Sequence, residues 1–365
     1  MYSQASNSIK IFPPNKYIRD ELEQRGWTQA DLAYILGRSH KDTNDILVGK
    51  RKITPELAQE LAAVFQKKAE YWLELENAYK LSQTDYVDKA IVKRSRLFND
   101  YPAKEMLKRG WIEETDDIDE LERRFLAFFS EQKVVGFAAR KSSSYVQTSP
   151  TQVAWIIRAT KLAKKLIVEK FEASNLASLE KALRRLAAKS QAVHRVPELL
   201  SRYGIRFVVV EPLPNAKIDG AAFWLDENSP VIAMSIRFDN IGSFWFTLMH
   251  EISHIKHKDR FFLDDLESLP IDDIEIRANQ EAAESLVPQQ QLETFIKLYS
   301  PFFSEARVNN LATQLKIHPG VIVGQLQHRK EVGYNTHRKA MVKIREIVTT
   351  TAFTDGWGNP IPQVR

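Results

Sequence analysis

The sequence contains no cysteine among its 365 residues. Disulfide bonds and thiolate zinc sites are therefore excluded, and any metal ion has to be held by histidine and carboxylate side chains. The lack of cysteine also fits a protein of the reducing cytoplasm, where disulfides are rare. We therefore expect a cytoplasmic protein.

Long hydrophobic runs are also missing from the sequence. No apolar stretch reaches the roughly 20 residues that a membrane-spanning helix needs, and the first ten residues do not form a signal peptide. We therefore expect no membrane partner. The 365 residues predict two or three domains. The net charge of +5 weakly favours an anionic partner such as nucleic acid, although many enzymes are equally basic.

One apolar stretch, residues 244–257 (FWFTLMHEISHIKH), contains the motif HEISH. On an α-helix, His250 and His254 lie one turn apart on the same face and can bind one metal ion. Glu251 lies beside them and can take a proton from a water on that ion, whose pKa the metal lowers from about 16 to about 7. The alternative, two solvent-facing histidines, is disfavoured because the surrounding residues are apolar. Apolar residues at helical spacing predict a buried helix here: Phe244, Leu248, Ile252 and Ile255.

A catalytic metal site of this kind needs a third protein ligand. The next predicted helix, residues 272–287, carries several acidic side chains and ends before Pro288. Glu275 shares one face of this helix with Asn279, whereas an apolar stripe occupies another face. We take Glu275 as the candidate ligand. The alternatives on the same helix are Asp273, Glu281 and Glu284.

The two helices together resemble the ImmA/IrrE family of metallo-endopeptidases. The first helix is similar to the family pattern at FTL (246–248), at HEISH (250–254) and at His257. The second is similar at Glu275, AN (278–279), AA (282–283), Leu286 and Pro288. Two positions depart from the pattern, because IS (252–253) replaces the common Leu-Gly and Glu281 replaces an aromatic or small residue.

This resemblance implies a zinc-dependent endopeptidase. By the match, Glu275 completes the metal site with His250 and His254, and Glu251 is the general base. The expected metal is Zn²⁺, and Mn²⁺ is the alternative for a site built from nitrogen and oxygen ligands. The implied substrate is a regulatory protein such as a repressor, cleaved at a specific peptide bond.

Residues 201–345 are predicted to form a small α+β, zincin-like domain. Residues 206–210 are predicted to be a strand, and residues 221–225 and 231–236 are predicted to form a hairpin. In zincin-like folds, the sheet edge beside the metal helix binds the substrate as an added strand. We expect His257 to shape the helix end or to support the metal ligands. His318 and His328 are interpreted as structural or surface residues, with stabilisation of the substrate oxyanion as the alternative.

Residues 1–84 carry a helix–turn–helix pattern. Thr28 begins the first helix with a box-like cap, and Gly37 ends it. Ser39 caps the second helix, and Thr54-Pro55 begins another. In a helix–turn–helix, the second helix enters the major groove of DNA. A helical bundle that mediates protein contacts is the alternative interpretation.

This segment resembles the HigA-type antitoxins, a subgroup of XRE-like DNA-binding domains. The resemblance implies a homodimer bound to an operator on double-stranded DNA, with a toxin as a further partner to be tested. It places the recognition helix at residues 39–47. The predicted contacts to bases come from His40, Lys41, Thr43 and Asn44. The predicted contacts to the phosphate backbone come from Gln29, Ser39, Lys50 and Arg51.

The remaining segments show no chemical motif. Residues 85–200 are predicted to be a helical connector, because amphipathic spacing recurs three times in them. Their lysine and arginine residues are interpreted as solvated helix faces. Residues 346–365 are rich in glycine and proline and are predicted to be a tail. The expected fold class is therefore mainly α with a small α+β part.

The favoured interpretation is an antitoxin-like, DNA-binding transcriptional regulator that carries a zinc-dependent endopeptidase domain. The main alternative is a non-catalytic HigA-type antitoxin or repressor whose C-terminal domain senses a metal or a ligand. A self-cleaving repressor is a third interpretation. The presence of Glu251 favours the enzyme, because a purely structural metal site does not need a general base.

Overall fold

The structure of this chain is a computed structural model that describes residues 11–84, 88–130, 137–139, 149–259 and 271–358. The described residues form two compact units, one up to Val92 and the other from Lys93 onwards. The predicted boundaries at residues 84 and 200 therefore differ from this division. The units have separate apolar cores and are described one at a time.

The N-terminal unit is a bundle of short helices. Side-chain caps explain where three of them begin, because the hydroxyls of Thr28, Ser39 and Thr54 each accept a backbone N–H of the first turn that follows. Gly37 ends the second helix in the left-handed region, with φ of 62°. The helices are α1 (Pro14–Arg25), α2 (Gln29–Leu36), α3 (His40–Leu47), α4 (Pro55–Phe65) and α5 (Ala69–Ser82), followed by α6 (Lys89–Asp100), in which the boundary between the units lies.

The core of the N-terminal unit is built from one apolar face of each of the first five helices. Phe65 of α4 and Trp72 of α5 are fully buried, and their ring centroids lie 5.6 Å apart. Ile18, Leu32 and Ile46 bury α1, α2 and α3 against them. Burial of these faces fixes the phase of each helix, and therefore which side of α3 remains open to solvent.

The second unit is organised around a mixed sheet. The predicted hairpin is present, because β3 (Gly220–Trp224) and β4 (Pro230–Met234) pair antiparallel, with Ala222 opposite Ile232. The predicted strand at residues 206–210 is also present as β2 (Arg206–Val210), which pairs in parallel with β4. The strand order is β1-β3-β4-β2-β5, with β1 (Phe137–Ala139) at one edge and β5 (Phe353–Asp355) at the other.

One face of the sheet is covered by helices from the first part of the predicted connector, before residue 164. Successive side chains of a strand point to opposite faces, so Val208 and Val210 of β2 pack with these helices. The buried Trp155 of α9 also donates its indole N–H to Val210 O at 2.9 Å. The described part of residues 101–163 therefore forms one core with the strands. The helices of this segment are α7 (Ala103–Lys108), α8 (Ile118–Ser130) and α9 (Pro150–Ala163).

The opposite face of the sheet packs against the helices that follow in the chain. Phe207 and Val209 of β2 point to this side, together with Ala222 of β3. The most buried of the helices is α12, which crosses beneath β3 and contacts α13 and α16. The helices on this side are α10 (Leu176–Leu186), α11 (Val196–Arg202), α12 (Ile241–His257), α13 (Ile271–Leu286), α14 (Gln289–Tyr299), α15 (Glu305–Leu315), α16 (Pro319–His328) and α17 (Arg345–Thr349). Three 3₁₀ turns cover Ala173–Asn175, Ser190–Arg195 and Arg338–Ala340.

The segment predicted as a tail is part of the fold where the structure describes it. β5 pairs in parallel with β2, with Thr354 opposite Val209. The Asp355 carboxylate accepts the indole N–H of Trp111 and forms an ion pair with Arg158. The prediction of a tail is therefore wrong for residues 346–358. The strand was missed because three residues are too few to show a periodic pattern.

The outer edge of β3 is paired within the chain. β1 runs antiparallel to β3, with the backbone of Ala138 opposite that of Ala222. The sheet edge that we expected to receive a substrate strand is thus occupied at residues 221–223, and Gly220 lies just beyond this pairing. Among the helices of the described residues, none combines the length and the apolar composition that a membrane span requires.

Candidate metal centre

The helix α12 brings the two predicted histidine ligands together. Asn240 begins this helix by accepting the backbone N–H of Ser243 at 2.8 Å. Four residues apart on the buried face, His250 and His254 place their Nε2 atoms 3.0 Å from each other. Both imidazoles are almost completely removed from solvent, so they form a buried pair of nitrogen donors.

Glu275 of α13 completes the cluster. Its Oε2 atom lies 3.2 Å from His250 Nε2, and its Oε1 atom lies 3.6 Å from His254 Nε2. Two ligands bound at 2.0–2.1 Å to a tetrahedral ion lie about 3.3 Å apart. The three side chains therefore fit a single metal ion, and they form a group of potential ligands among the described residues.

The alternative ligands on α13 lie elsewhere. Asp273 and Glu284 are exposed to solvent. Glu281 contacts α12 away from the two imidazoles. Its carboxylate accepts the Ser253 hydroxyl at 2.9 Å and lies 2.8 Å from His257 Nε2. Of the four acids considered from sequence, Glu275 is the one whose carboxylate lies between the two imidazoles.

Each imidazole is oriented through its other ring nitrogen. His250 Nδ1 donates to the side-chain oxygen of Asn279 at 3.1 Å, and His254 Nδ1 donates to the Asp259 carboxylate at 2.9 Å. These bonds place the protons on Nδ1 and leave the Nε2 lone pairs directed at the ligand site. Arg277 in turn forms an ion pair with Asp259.

The charges around the site change the protonation of two groups. Burial alone would lower the pKa of His254, but the hydrogen bond to Asp259 and the negative charges of two nearby glutamates outweigh it and raise the pKa. Burial would raise the pKa of Asp259, but the hydrogen bonds from His254 and Arg277 outweigh it and lower the pKa. Asp259 is therefore held as an anion that accepts from the imidazole.

Glu251 is fully buried beside the two histidines. It lies against β3, because a Cβ atom built on Gly220 would be 2.7 Å from Glu251 Oε1 and 2.9 Å from Thr247 Cγ2. A side chain at this point of the strand would require the Glu251 carboxylate or the strand to shift. The backbone of β3 thus forms one wall of the space in which Glu251 is held.

The three other histidines that were considered from sequence for this site lie outside the cluster. His257 is paired with Glu281 near the end of α12, as expected for a residue that shapes the helix end. His318 caps α16, because its Nδ1 accepts the backbone N–H of Gly320 at 3.1 Å. His328 is exposed at the end of α16, with its ring 6.0 Å from that of Phe246.

In the N-terminal unit, the predicted DNA contacts have different environments. Ser39 caps α3, and Gln29 donates to the backbone oxygen of His40 at 3.1 Å, so both fix the start of this helix. Thr43 is 0% exposed, with its hydroxyl bonded to Ser39 O. The prediction that Thr43 faces DNA is therefore wrong. The exposed residues of the predicted set are Ser39, His40, Lys41, Asn44, Lys50 and Arg51.

Comparison with known proteins places the metal centre in a family of domains. Residues 200–329 match the IrrE N-terminal-like domain. This range contains all four candidate residues of the centre, and the family it matches is one of metallopeptidase-type domains. The chain is also similar to an uncharacterised HTH-type transcriptional regulator, YddM, of Escherichia coli (strain K12). The two are 26% identical over 72 residues, which is 20% of this chain and 77% of YddM.

Several groups that shape the IrrE-like site were missed from sequence. Asp259 follows the end of α12, where Lys258 turns the chain back with φ of 50°. Asn279 was predicted to share a helix face with Glu275. Its position four residues after Glu275 could have indicated that it supports a metal ligand. Gly220 stands in a different element, and nothing in its neighbourhood in the sequence connects it with Glu251.

Proposed function

We propose that the IrrE-like domain is a metal-dependent endopeptidase attached to a DNA-binding unit. The observation that carries this proposal is the convergence of His250, His254 and Glu275 on one point, with Glu251 buried beside it. Three protein ligands leave a coordination position free, which is the arrangement of catalytic rather than structural sites. A purely structural site would have no use for this second glutamate.

The proposed ion is Zn²⁺, with Mn²⁺ as the alternative. His250 and His254 would hold it through Nε2, and Glu275 would hold it through its carboxylate. When bound, the ion supplies a Lewis acid that lowers the pKa of a coordinated water and polarises the substrate carbonyl. Asn279 and Asp259 keep the imidazoles in the tautomer that can bind it.

Among the residues of the chain, Glu251 is the one that transfers protons in this proposal. As the general base it takes a proton from the attacking water, and as the general acid it then gives a proton to the leaving amine. The packing of Gly220 and Thr247 around it limits the positions that its carboxylate can adopt. Such positioning matters because a displacement of about 1 Å can lower a rate by about a hundredfold.

The proposed substrate is a protein that regulates transcription. Support comes from the similarity of 72 residues of the chain to an HTH-type transcriptional regulator. In this proposal the N-terminal unit binds operator DNA as a homodimer in the cytoplasm, and α3 reads the bases through His40, Lys41 and Asn44. Lys50 and Arg51 contact the phosphate backbone. A HigA-like role with a toxin partner is the more specific form of this proposal.

The enzymatic part is tested with full-length protein and Zn²⁺. A proteome-derived peptide library is digested by wild-type protein and by a Glu251→Gln variant, and the new termini are read by mass spectrometry. We expect new termini with the wild type and none with the variant, although both bind one metal ion. Metal-loaded wild-type protein that produces no termini would overturn the proposal and favour the sensor alternative.

The DNA-binding part needs a separate experiment. A mobility-shift titration with the DNA upstream of the chain's own gene is expected to give a complex that survives an excess of unrelated duplex. A palindromic half-site presented alone should bind more weakly if the protein acts as a homodimer. Equal binding to operator and unrelated DNA would contradict a specific regulator.

A further inference from the structure

The second unit contains a pocket of about 460 Å³ beside the metal centre. It lies between α12, α13 and α16, and the chain around Tyr334 and Met341 closes one side. Most of its lining is apolar. Phe246, Leu286, Val321 and Met341 contribute to this lining. A volume of this size lies within the range of about 300–1,000 Å³ that is typical of ligand pockets.

The pocket is adjacent to the groups proposed for catalysis. Thr247 lines the pocket and touches the point where Gly220 meets Glu251. Phe246 lines it one turn before His250, and the two rings lie 6.4 Å apart. A side chain bound in the pocket would thus belong to a residue close to the peptide bond that lies beside Glu251 and the residues that would hold the metal.

One buried polar group in the lining, the amide of Gln325, already has its hydrogen-bond partners within the chain. Gln325 is buried, and its amide accepts from Gln289 at 2.9 Å and donates to Ala283 O at 3.0 Å. A ligand without hydrogen-bonding groups therefore leaves neither end of the Gln325 amide unsatisfied.

The charged groups in the lining are paired as well. Asp219 forms an ion pair with Arg237, and Arg329 donates to Gln289 and lies 3.9 Å from Glu293. A charged side chain entering the pocket would have to compete with these contacts or lose its hydration without compensation. The lining therefore selects against charge.

We propose that this pocket binds a large apolar side chain of the substrate, on a residue that directly flanks the cleaved bond. This inference rests on the proposed endopeptidase function and adds its sequence preference. A pocket of this kind discriminates by size, because each methylene group is worth about 1–3 kcal/mol, or about 10–200-fold in rate. Leucine, isoleucine, methionine and phenylalanine are the expected residues at that position.

The first test uses the Zn²⁺-loaded full-length protein and the same peptide library. We expect the aligned cleavage sites to show apolar residues at one of the two positions next to the cut. Two synthetic peptides that differ only by leucine or alanine at that position then give the preference as a ratio of kcat/KM. The expected ratio is at least about tenfold in favour of leucine.

The second test fills the pocket. Ser243 of α12 is half-buried and lines the pocket, so Ser243→Leu should occupy part of its volume. We expect this variant to reduce the leucine-to-alanine ratio at least about tenfold. Ser178→Leu is the matched control, because Ser178 is exposed on α10 and lies outside the lining. It should keep the wild-type ratio.

A second variant, which adds only one methyl group, is used if Ser243→Leu fails to fold. Gly324 lines the pocket on α16, and a Cβ atom built on it meets only ordinary contacts, the nearest being Gly242 Cα at 3.4 Å. Gly324→Ala is therefore expected to fold, and because alanine is the better helix former it should keep or raise the thermal stability. It should lower the ratio in the same direction by a smaller factor.

The outcomes separate the two proposals. If the metal-loaded wild type cuts no peptide, the endopeptidase function itself is overturned. If it cuts without an apolar preference at either flanking position, the pocket assignment is wrong and the function stands. The pocket assignment would also be overturned if Gly324→Ala and a folded Ser243→Leu both kept the wild-type ratio. It would be overturned as well if Ser178→Leu changed the ratio as much as Ser243→Leu does.

Discussion

Gly220 in β3 faces Glu251 in α12 so closely that a single added carbon would lie 2.7 Å from the carboxylate oxygen Oε1. The two residues are 31 positions apart and belong to different layers of the unit. The backbone of β3 and the carboxylate of the proposed general base therefore lie directly against each other. A methyl group on Gly220 cannot be accommodated unless the carboxylate or the strand moves.

Gly220→Ala should impair catalysis more than metal binding. The new methyl group displaces the Glu251 carboxylate, and a shift of about 1 Å corresponds to a loss of about a hundredfold in kcat. The atoms nearest to the added carbon belong to Glu251 and Thr247 and not to the ligands His250, His254 and Glu275, so the metal content should stay at the wild-type level. Peptide hydrolysis and elemental analysis of the same sample check both statements.

The matched control for this variant is Gly333→Ala. A Cβ atom built on Gly333 meets nothing within 4 Å. This control should therefore keep the wild-type kcat. Wild-type activity in Gly220→Ala would show that the contact with Glu251 has no role in positioning the carboxylate.

Glu251→Gln should remove hydrolysis and keep the metal. The amide has nearly the same shape as the carboxylate but cannot accept the proton of the attacking water. General base catalysis is worth about 10²–10⁴-fold, and a loss of this size in kcat is expected. The metal content, measured by elemental analysis, should not change. A variant that loses its metal as well would show that Glu251 supports the ligands rather than the reaction.

Asp259→Asn should weaken metal binding. The carboxylate accepts from His254 Nδ1, and replacing it with a neutral amide weakens this hydrogen bond and leaves the imidazole less basic. Loss of such a supporting group lowers metal affinity by about 10–100-fold. Competition with a zinc-binding dye measures this change. Asp273→Asn is the control, since Asp273 is an exposed acid of α13 that was considered as a ligand, and it should bind the metal normally.

His318 predicts a pH dependence of stability that is independent of the metal. Burial lowers the pKa of His318, whose neutral Nδ1 accepts the Gly320 N–H at the start of α16. An unfolded histidine titrates near about pH 6.5. The unfolded chain therefore binds a proton first as the pH falls, and the native state loses stability from about pH 6.5 down to the lowered native pKa.

His318→Asn separates this effect from other titrations. Asparagine is a good N-cap and can accept the same backbone N–H, but it does not titrate. The free energy of unfolding of the wild type relative to this variant should fall when the pH is lowered from 7.5 to 5.5. Urea unfolding of both proteins at each pH gives this difference, and a difference that is constant over the range would contradict the assignment.

The parts of the fold that sequence could predict are those with local signals. The caps at Thr28 and Ser39 and the hairpin of β3 and β4 each depend on residues that are neighbours in the chain. The phase of α3 was also available, because Thr43, Ile46 and Leu47 have the i, i+3, i+4 spacing of a buried face. That spacing could have excluded Thr43 from the predicted DNA contacts.

Contacts between distant segments could not be predicted in this way. The packing of Gly220 against Glu251 depends on how β3 lies over α12, and no periodic pattern encodes that relationship. The bond from His254 to Asp259 depends on a chain reversal at Lys258, a residue type that gives no turn signal. The position of β5 beside β2 depends on pairing across more than a hundred residues.

The exposed side of α3 gives the prediction for DNA binding. Lys41→Ala should weaken binding to operator DNA and, because Lys41 is proposed to contact a base, it should also reduce the preference for the operator over unrelated duplex. Thr43→Ser keeps the buried hydroxyl that bonds to Ser39 O and should leave the affinity unchanged. Lys68→Ala, a change of the same charge at the start of α5, should also have little effect. If Lys68→Ala weakens binding as much as Lys41→Ala does, the affinity depends on the general charge of the unit and not on the recognition helix.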